Sequence, residues 1–414
     1  MSAESLAEIF APALENECRR FPQQATHLRA LADAGSALPR LLLWPSAQSR
    51  QTLAQVAAAL SGRRCVALAK DPAHLCELEE LLAGGAGLAA QTRLLLRTSG
   101  TSGVPRWVQV SEEMIRLNIR RGQELYRWTQ SDPRATYLHL SFAHSGGLLL
   151  QALPAFAARA RLRVAAFSVT ELAECAGGEG LKTTILLPGQ VQSLLRSRCA
   201  GDASLFAGCD SLLTGSQRID PWVFAALFER GAKRVDNVYG ATEFGPYAWV
   251  RSHTTTPTEE AARELGVRHP SLDYQVSETG ELHVRGEFVT TGRISEGPQE
   301  WLATGDVVRA NSGGLVFEGK CEHMVRPHGT TINLEALEAK LIQALALSEV
   351  AILRRPAEFV VVLAAPLALR GRLLVDVRRL MPRELGYYRI AFVDAWLRNA
   401  NGKVDRQALL RAAG

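Results

Sequence analysis

From residue 40 to residue 232, short apolar runs alternate with amphipathic stretches, and this alternation constrains the fold more than any other feature. The runs RLLLW (40–44), CVALA (65–69), TRLLLR (92–97), TYLHLS (136–141), RLRVAAF (161–167), TTILL (183–187) and SLLTG (211–215) read as strands. Between them QTLAQVAAAL, DPAHLCELEELLA, SEEMIRLNIRRGQELY, GGLLLQALPAF, PGQVQSLLRS and PWVFAALFERGA read as helices. Asp71 before Pro72, and Ser111 before two glutamates, are helix-start signals. Strands alternating with helices predict an α/β fold with largely parallel sheets, and ligand loops collect at the strand ends of such sheets.

After Pro246 the texture changes. YQVSETGELHVRGEFV and GDVVRANSGGLVFEG read as hairpins, a smaller β-rich part. Beyond Lys320 a helix (EALEAKLIQALAL), two strands (VAILRR, EFVVVLAAP) and a helix (RGRLLVDVRRLM) predict a compact α+β tail. A chain of 414 residues exceeds one comfortable core. The expected division is a large N-terminal domain, 1–320, and a small C-terminal domain, 321–414.

Composition excludes several classes. Hydrophobic residues at 47% and charged residues at 21% are ordinary for a globular chain with a large core. The net charge of +5 suits small anions or an acidic partner protein, and no nucleic-acid motif accompanies it. None of the seven cysteines forms a CxxC pair, so zinc and disulfide frameworks are not expected and a cytoplasmic location is. The N-terminus reads as an amphipathic helix, and no apolar run reaches membrane-spanning length.

The strand TRLLLR delivers the chain into RTSGTSGVPR (97–106). Thr98, Ser99, Gly100, Thr101, Ser102 and Gly103 offer hydroxyls and backbone N–H groups, and Arg106 adds positive charge. The spacing is not that of a P-loop. Taken alone, the stretch is either a phosphate cradle or a polar surface turn.

TSGTSGVPR resembles the phosphate-binding signature of the adenylate-forming superfamily, which includes acyl- and aryl-CoA synthetases, peptide-synthetase adenylation domains and luciferases. Arg106 stands where that signature usually has lysine. Further resemblances follow in the family's order, from about Leu94 to Leu409. NVYGATEFG (237–245) is similar to the Tyr-Gly-x-Thr-Glu motif. The resemblance implies Tyr239 against adenine, Gly240 at the nucleotide and the substrate pocket, Thr242 on phosphate as a catalytic group and Glu243 on the Mg²⁺ carried by ATP. WLATGD (301–306) resembles the Thr-Gly-Asp whose aspartate, here Asp306, takes the ribose hydroxyls. FEGKCEHMVRPHG resembles the hinge, with Lys320 for the usual arginine and Glu322 at the pivot. NANGKVDRQAL (399–409) resembles the C-terminal signature and makes Lys403 the catalytic lysine, bridging carboxylate and α-phosphate. The segment before the phosphate loop is short for the family.

The resemblance implies two half-reactions: a carboxylic acid and ATP give an acyl-adenylate, then a thiol of CoA or of a carrier protein takes the acyl group. HLSFAHSGGLLL (139–150) occupies the acyl-site position. Amino-acid-activating relatives usually have an aspartate where this chain has Ala143, so an α-amino acid is not expected. His144 resembles the histidine of the His-x-x-Gly-Leu of acyl- and aryl-CoA synthetases, where it flanks the carboxylate, and Gly146 is expected in the substrate pocket. LTGSQRI (213–219) would floor the pocket, with Gly215 and Ser216 near acyl group and nucleotide. Gln217 and Arg218 are polar for a fatty-acyl floor, which tilts the expected substrate toward an aromatic acid. The alternatives are a medium- or long-chain fatty acid, or a decayed nucleotide-binding protein on the same fold.

Overall fold

The alternating runs build two parallel-rich sheets joined by helical crossovers. The computed structural model describes residues 4–35, 41–45, 48–98, 106–178, 180–197, 203–294, 299–327, 330, 332–347, 349–355, 358–397 and 404–413. The chain divides into two units: residues 1–304 with 309–317, and residues 305–308 with 318–414.

In the first unit, strands β1 (Leu41–Pro45), β2 (Cys65–Ala69), β3 (Thr92–Thr98) and β4 (Arg106–Ser111) form one sheet in that order. The first three are parallel, and β4 returns antiparallel to β3. The crossover helices Arg50–Ser61 and Pro72–Ala83 start at capping side chains: Ser49 accepts from the Thr52 N–H at 3.0 Å, and Asp71 from the Ala73 N–H at 2.9 Å. Helices Leu6–Arg20 and Pro22–Ala32 close the core over this sheet, with Phe10, Leu28 and Leu31 packed in one cluster with Val66, Leu94 and Phe156.

The second sheet has seven strands: β5 (Ala135–Leu138), β6 (Arg161–Val164), β7 (Leu181–Ile185), β8 (Ser211–Gly215), β9 (Val235–Ala241), β10 (Gly245–His253) and β11 (Val267–Arg268). Their order is β11-β10-β9-β8-β7-β5-β6. All neighbours from β6 to β9 are parallel; β10 and β11 are antiparallel additions. The chain steps from β5 to β6 on one side, then crosses to β7 on the other. Strand order therefore reverses at β5, and connections leave the carboxyl ends of β5 and β7 in opposite directions. In open α/β sheets, ligands bind in the crevice this creates.

A third sheet, β12 (Leu272–Val276), β13 (Glu281–Gly286), β14 (Leu302–Asn311) and β15 (Gly314–Lys320), is the pair of hairpins expected after Pro246. The second unit holds β16 (Met324–Val325) with β17 (Ile332–Asn333), and the sheet β18 (Val350–Arg354), β19 (Phe359–Ala364), β20 (Tyr388–Val393). Helices Leu334–Leu345 and Leu367–Leu380 pack on that sheet through Leu341, Val377, Ile352 and Val361. The class is α/β with a small β-rich part and an α+β C-terminal unit.

Several boundaries differ from expectation. TYLHLS is extended only to Leu138 and RLRVAAF only to Val164, while the TTILL strand starts two residues earlier at Leu181. Residues 145–157 are helical, but Leu148–Ala152 is a wide π-turn between α-turns Ser145–Gly147 and Leu153–Ala157. Pro154 has no N–H to give the carbonyl four residues back, that of Leu150. The buried Tyr247 hydroxyl donates to it instead. Among the described residues, no helix is long and apolar enough to cross a membrane.

Candidate active site

Three of the sequence motifs, HLSFAHSGG, LTGSQRI and YGATEFG, lie at the carboxyl ends of β5, β8 and β9 in the seven-stranded sheet. After β5 the chain enters HLSFAHSGG. His139 is buried, with Nε2 2.6 Å from the Ile185 carbonyl at the end of β7 and Nδ1 3.2 Å from Gln190 Nε2. That network assigns the proton to Nε2, donated to Ile185, with Nδ1 accepting from Gln190. His139 thus ties together the two strand ends that flank the crevice. Tyr137 and Phe167 flank its ring, each with centroids 5.1 Å away.

Burial pushes the His139 pKa down to about 4, against the partly offsetting bond to Ile185. His253 and His269 are likewise held near 4, chiefly by burial. Each binds a proton less readily folded than unfolded, so its stabilising effect is complete above about pH 6.5 and is lost as pH falls toward 4. For His139 the shift corresponds to about 3 kcal/mol at most. The melting temperature is expected to fall between pH 7 and pH 5. His139→Gln should lower it at pH 7 yet flatten its fall with acid; an unchanged slope in that variant would show that His139 does not drive it.

His144 is half-buried and its carbonyl accepts from the Gly147 and Leu148 N–H groups at 3.1 and 3.0 Å, starting the helical run. Ala143 is buried. A Cβ at Gly146 would meet only Leu140 Cδ1, at 3.9 Å, so nothing packs tightly there. The close approach is one residue on: a Cβ at Gly147 would lie 2.2 Å from the Ser141 carbonyl oxygen.

At the end of β8, a Cβ on Gly215 would lie 2.3 Å from the Val238 carbonyl oxygen of the neighbouring strand. Ser216 follows at φ +69°, a backbone region that costs a non-glycine residue energy and occurs often at ligand sites. Ser216 and Gln217 are exposed, and Arg218 is engaged by Asp220 at 3.1 Å.

β9 and β10 form a tight hairpin carrying YGATEFG. Tyr239 sits among the rings of Phe244, Trp249 and Phe317, with centroids 5.7–6.2 Å apart. A Cβ on Gly240 would lie 1.9 Å from the Gly245 carbonyl oxygen, so only glycine permits the two strands to approach. Thr242 Oγ1 lies 3.0 Å from Ser145 Oγ, linking the hairpin to the segment that follows β5. Arg293 lies 3.3 Å from Glu243 Oε1, and the Glu243 carbonyl accepts from the Thr290 N–H at 2.7 Å. The Thr290–Ile294 segment is itself bonded along β4 by Gln109 N–H to Gly292 O (3.0 Å) and Ile294 N–H to Trp107 O (2.9 Å). Ser145 and Arg293 were not foreseen. Both act through partners distant in sequence, and no local pattern marks them.

Among the described residues, no group of three or more His, Cys, Asp or Glu side chains is placed to hold a metal ion. Glu243, with its side chain 15% exposed, fits a narrower role. Mg²⁺ prefers hard oxygen, keeps several waters and is commonly held by one or two carboxylates plus substrate phosphates.

In the second unit, Asp306 is 5% exposed and forms an ion pair with Lys320. Burial acts to lower the Lys320 pKa, but Asp306 outweighs it and the net shift is upward. Burial raises the Glu322 carboxyl, partly offset by Lys320 and Arg406. His323 lies 3.4 Å from both Glu322 and Glu335. Ser99, Gly100, Thr101, Ser102, Gly103 and Lys403 lie outside the described residues. Thr98 and Arg106, on either side of residues 99–105, pair across β3 and β4, with Thr98 Oγ1 3.4 Å from the Arg106 carbonyl.

Residues 53–293 match the family of AMP-binding enzymes. The chain is 34% identical over 145 residues to the L-proline–[L-prolyl-carrier protein] ligase of Pseudomonas fluorescens, covering 33% of this chain and 29% of the ligase. It is 25% identical over 370 residues to acyl-CoA ligase AFT1-1 of Alternaria alternata, covering 80% of this chain and 64% of that protein. The chain thus spans less than two thirds of the length of either relative. Klebsiella oxytoca NpsA, solved in complex with 3-hydroxyanthranilyl-AMSN, has the same fold, with a TM-score of 0.75 over 99% of both chains at 15% identity.

Proposed function

The chain belongs to the AMP-binding enzyme family, and on that basis we propose that it activates a carboxylic acid with ATP and passes the acyl group to a thiol. The observation that carries this reading is the β9–β10 hairpin. It presents Thr242 beside Ser145 of the acyl-site loop and Glu243 beside Arg293, at the carboxyl end of the parallel sheet. Two hydroxyls and a carboxylate grouped in this way support a site in which a nucleotide's phosphates meet an acyl substrate.

In the proposed first step, a carboxylate oxygen attacks the α-phosphorus of ATP and pyrophosphate leaves. Catalysis of this kind is mostly positioning and electrostatics. Thr242 donates to the phosphate and Tyr239 packs against adenine, while Gly215 and Gly240 let the backbone lie close to the ligand. The Thr98–Gly103 loop and Arg106 take the outer phosphates. Asp306 orients the ribose and Lys320 supports it. Glu243 would hold Mg²⁺ on ATP, which supplies charge neutralisation when bound. His144 flanks the substrate carboxylate, and Lys403 offsets the charge that builds as the two anions meet. Residues 321–414 are proposed as a mobile domain turning about Glu322 between the two steps.

Ala143 bears on the substrate. It is buried and offers no carboxylate to an α-ammonium, which favours an acid without an amine. The polar Gln217 and Arg218 favour an aromatic acid over a fatty one. ATP–pyrophosphate exchange across benzoates, cinnamates, fatty acids and amino acids tests this. Exchange with an aromatic acid is expected, and strong exchange with an amino acid alone would overturn the substrate assignment.

A further inference from the structure

We propose that the solvent face of the helix Leu367–Leu380 is a docking surface for an acidic helix of the protein that carries the acceptor thiol. The identity of that partner rests on the thioester-forming reading above. At 3.6 residues per turn, Leu367, Gly371, Val375 and Arg379 follow one another along one side of this helix. Leu373 and Val377 lie on the other side, buried in the core of the second unit. Leu367 is 80% exposed and Val375 52% exposed. Arg372, Arg378 and Arg379 border them, all exposed. Arg372 makes only an exposed contact to Asp376, at 3.3 Å, and Arg378 and Arg379 have no acidic partner among the described residues.

Gly371 is a second, independent observation. Glycine inside a helix costs about 1 kcal/mol relative to alanine. Nothing in the chain requires it here, because a Cβ at this position would meet no atom within 4 Å. Between two exposed aliphatic side chains, it leaves a saddle where a second helix can come close; the side chains at the contact set the distance between packed helices.

Charge identifies the occupant. Residues 318–414 hold fifteen Lys and Arg against ten Asp and Glu, which accounts for the whole net charge of +5; residues 1–317 balance at thirty-two each. Residues 366–389 alone hold six arginines against Asp376 and Glu384. An apolar saddle with a basic border complements a helix that is acidic with an apolar face, and complementary charge of this kind sets encounter rate and partner choice.

The test compares wild type, Gly371→Leu and the double variant Arg378→Glu/Arg379→Glu. The probe is an acidic holo-acyl carrier protein, with CoA as the small-thiol control. Expected results are a rise of about tenfold or more in the carrier-protein KM and a matching loss of binding by fluorescence anisotropy. Pyrophosphate exchange and CoA acylation should stay unchanged, and the melting temperature of Gly371→Leu should be no lower. Equal binding by all three proteins overturns the proposal. So does a wild type that acylates CoA but does not bind the carrier protein, or variants that lose affinity for an oligonucleotide but not for the carrier. Absence of exchange with every acid sinks the activation reading instead, while anisotropy still decides the surface.

Discussion

Lys403→Ala is expected to slow adenylate formation by about 10²–10³-fold while leaving thiol transfer from supplied acyl-adenylate within a few-fold of wild type. Two anions, carboxylate and α-phosphate, must come together in the first step, and an ammonium between them offsets charge that is greatest in the transition state. In the proposed second step the mixed anhydride would already exist and the attacking group would be a thiol, so that need is gone. Asp405 and Arg406, which follow Lys403 in sequence, are well anchored in the second unit. The Asp405 N–H donates to the Leu397 carbonyl at 2.8 Å, and Asp405 Oδ1 caps the helix Arg406–Ala412 through the Ala408 N–H at 2.8 Å. Arg406 makes a two-point contact with Glu338 at 2.8 and 2.7 Å. Removing the Lys403 ammonium should therefore leave the unit folded, which an unchanged melting temperature would confirm. Two separate assays, pyrophosphate exchange and acylation from synthetic adenylate, check the contrast. Equal loss in both would remove the proposed role.

The strands and helices were readable because burial imposes a period on the sequence. CVALA and SLLTG are strands over those same residues, and Asp71 and Ser111 cap the helices their positions announced. Readability fails where a partner far along the chain decides local structure. Within residues 145–157 Pro154 signals only that the Leu150 carbonyl loses a helical partner; that the helix continues through a π-turn depends on the Tyr247 hydroxyl, 97 residues away, which donates to that carbonyl. The link between Ser145 and Thr242 likewise spans 97 residues. His139 and His144 are five residues apart in one motif, and the sequence singled out His144. The structure shows His139 as the buried one, held between Ile185 and Gln190 across the crevice, and only the strand order explains that. The individual roles given to Tyr239, Asp306 and Lys320 came from resemblance, since a tyrosine, an aspartate and a lysine carry many meanings by themselves. The pairing of Asp306 with Lys320 adds a physical reason to treat those two as one unit: the buried Asp306 carboxylate would be costly to leave without the ammonium of Lys320.

Gly240→Ala is expected to cost about 1–3 kcal/mol of stability and to lower adenylate formation by about a hundredfold. The added methyl would lie 1.9 Å from the Gly245 carbonyl oxygen and 2.8 Å from Pro246 Cα. Both are backbone atoms, so no side-chain rotation relieves the clash. Gly245 is also not free to swing. It sits at φ +72° with the Phe288 ring against it, where even a Cβ would fall 2.3 Å from a ring carbon. The hairpin must therefore open. Thr242 and Glu243 lie between the two glycines, so opening it draws Thr242 away from Ser145 and Glu243 away from Arg293. A displacement of about 1 Å in a positioning group is enough to cost two orders of magnitude in rate. Thermal unfolding and pyrophosphate exchange, measured on the same preparation, separate the two effects. Thr242→Ala serves as the comparison: it should lose rate with little change in melting temperature, since it removes the hydroxyl without moving the backbone. A Gly240→Ala protein with wild-type exchange would show that the hairpin is pliable and that its tightness does not position Thr242 and Glu243.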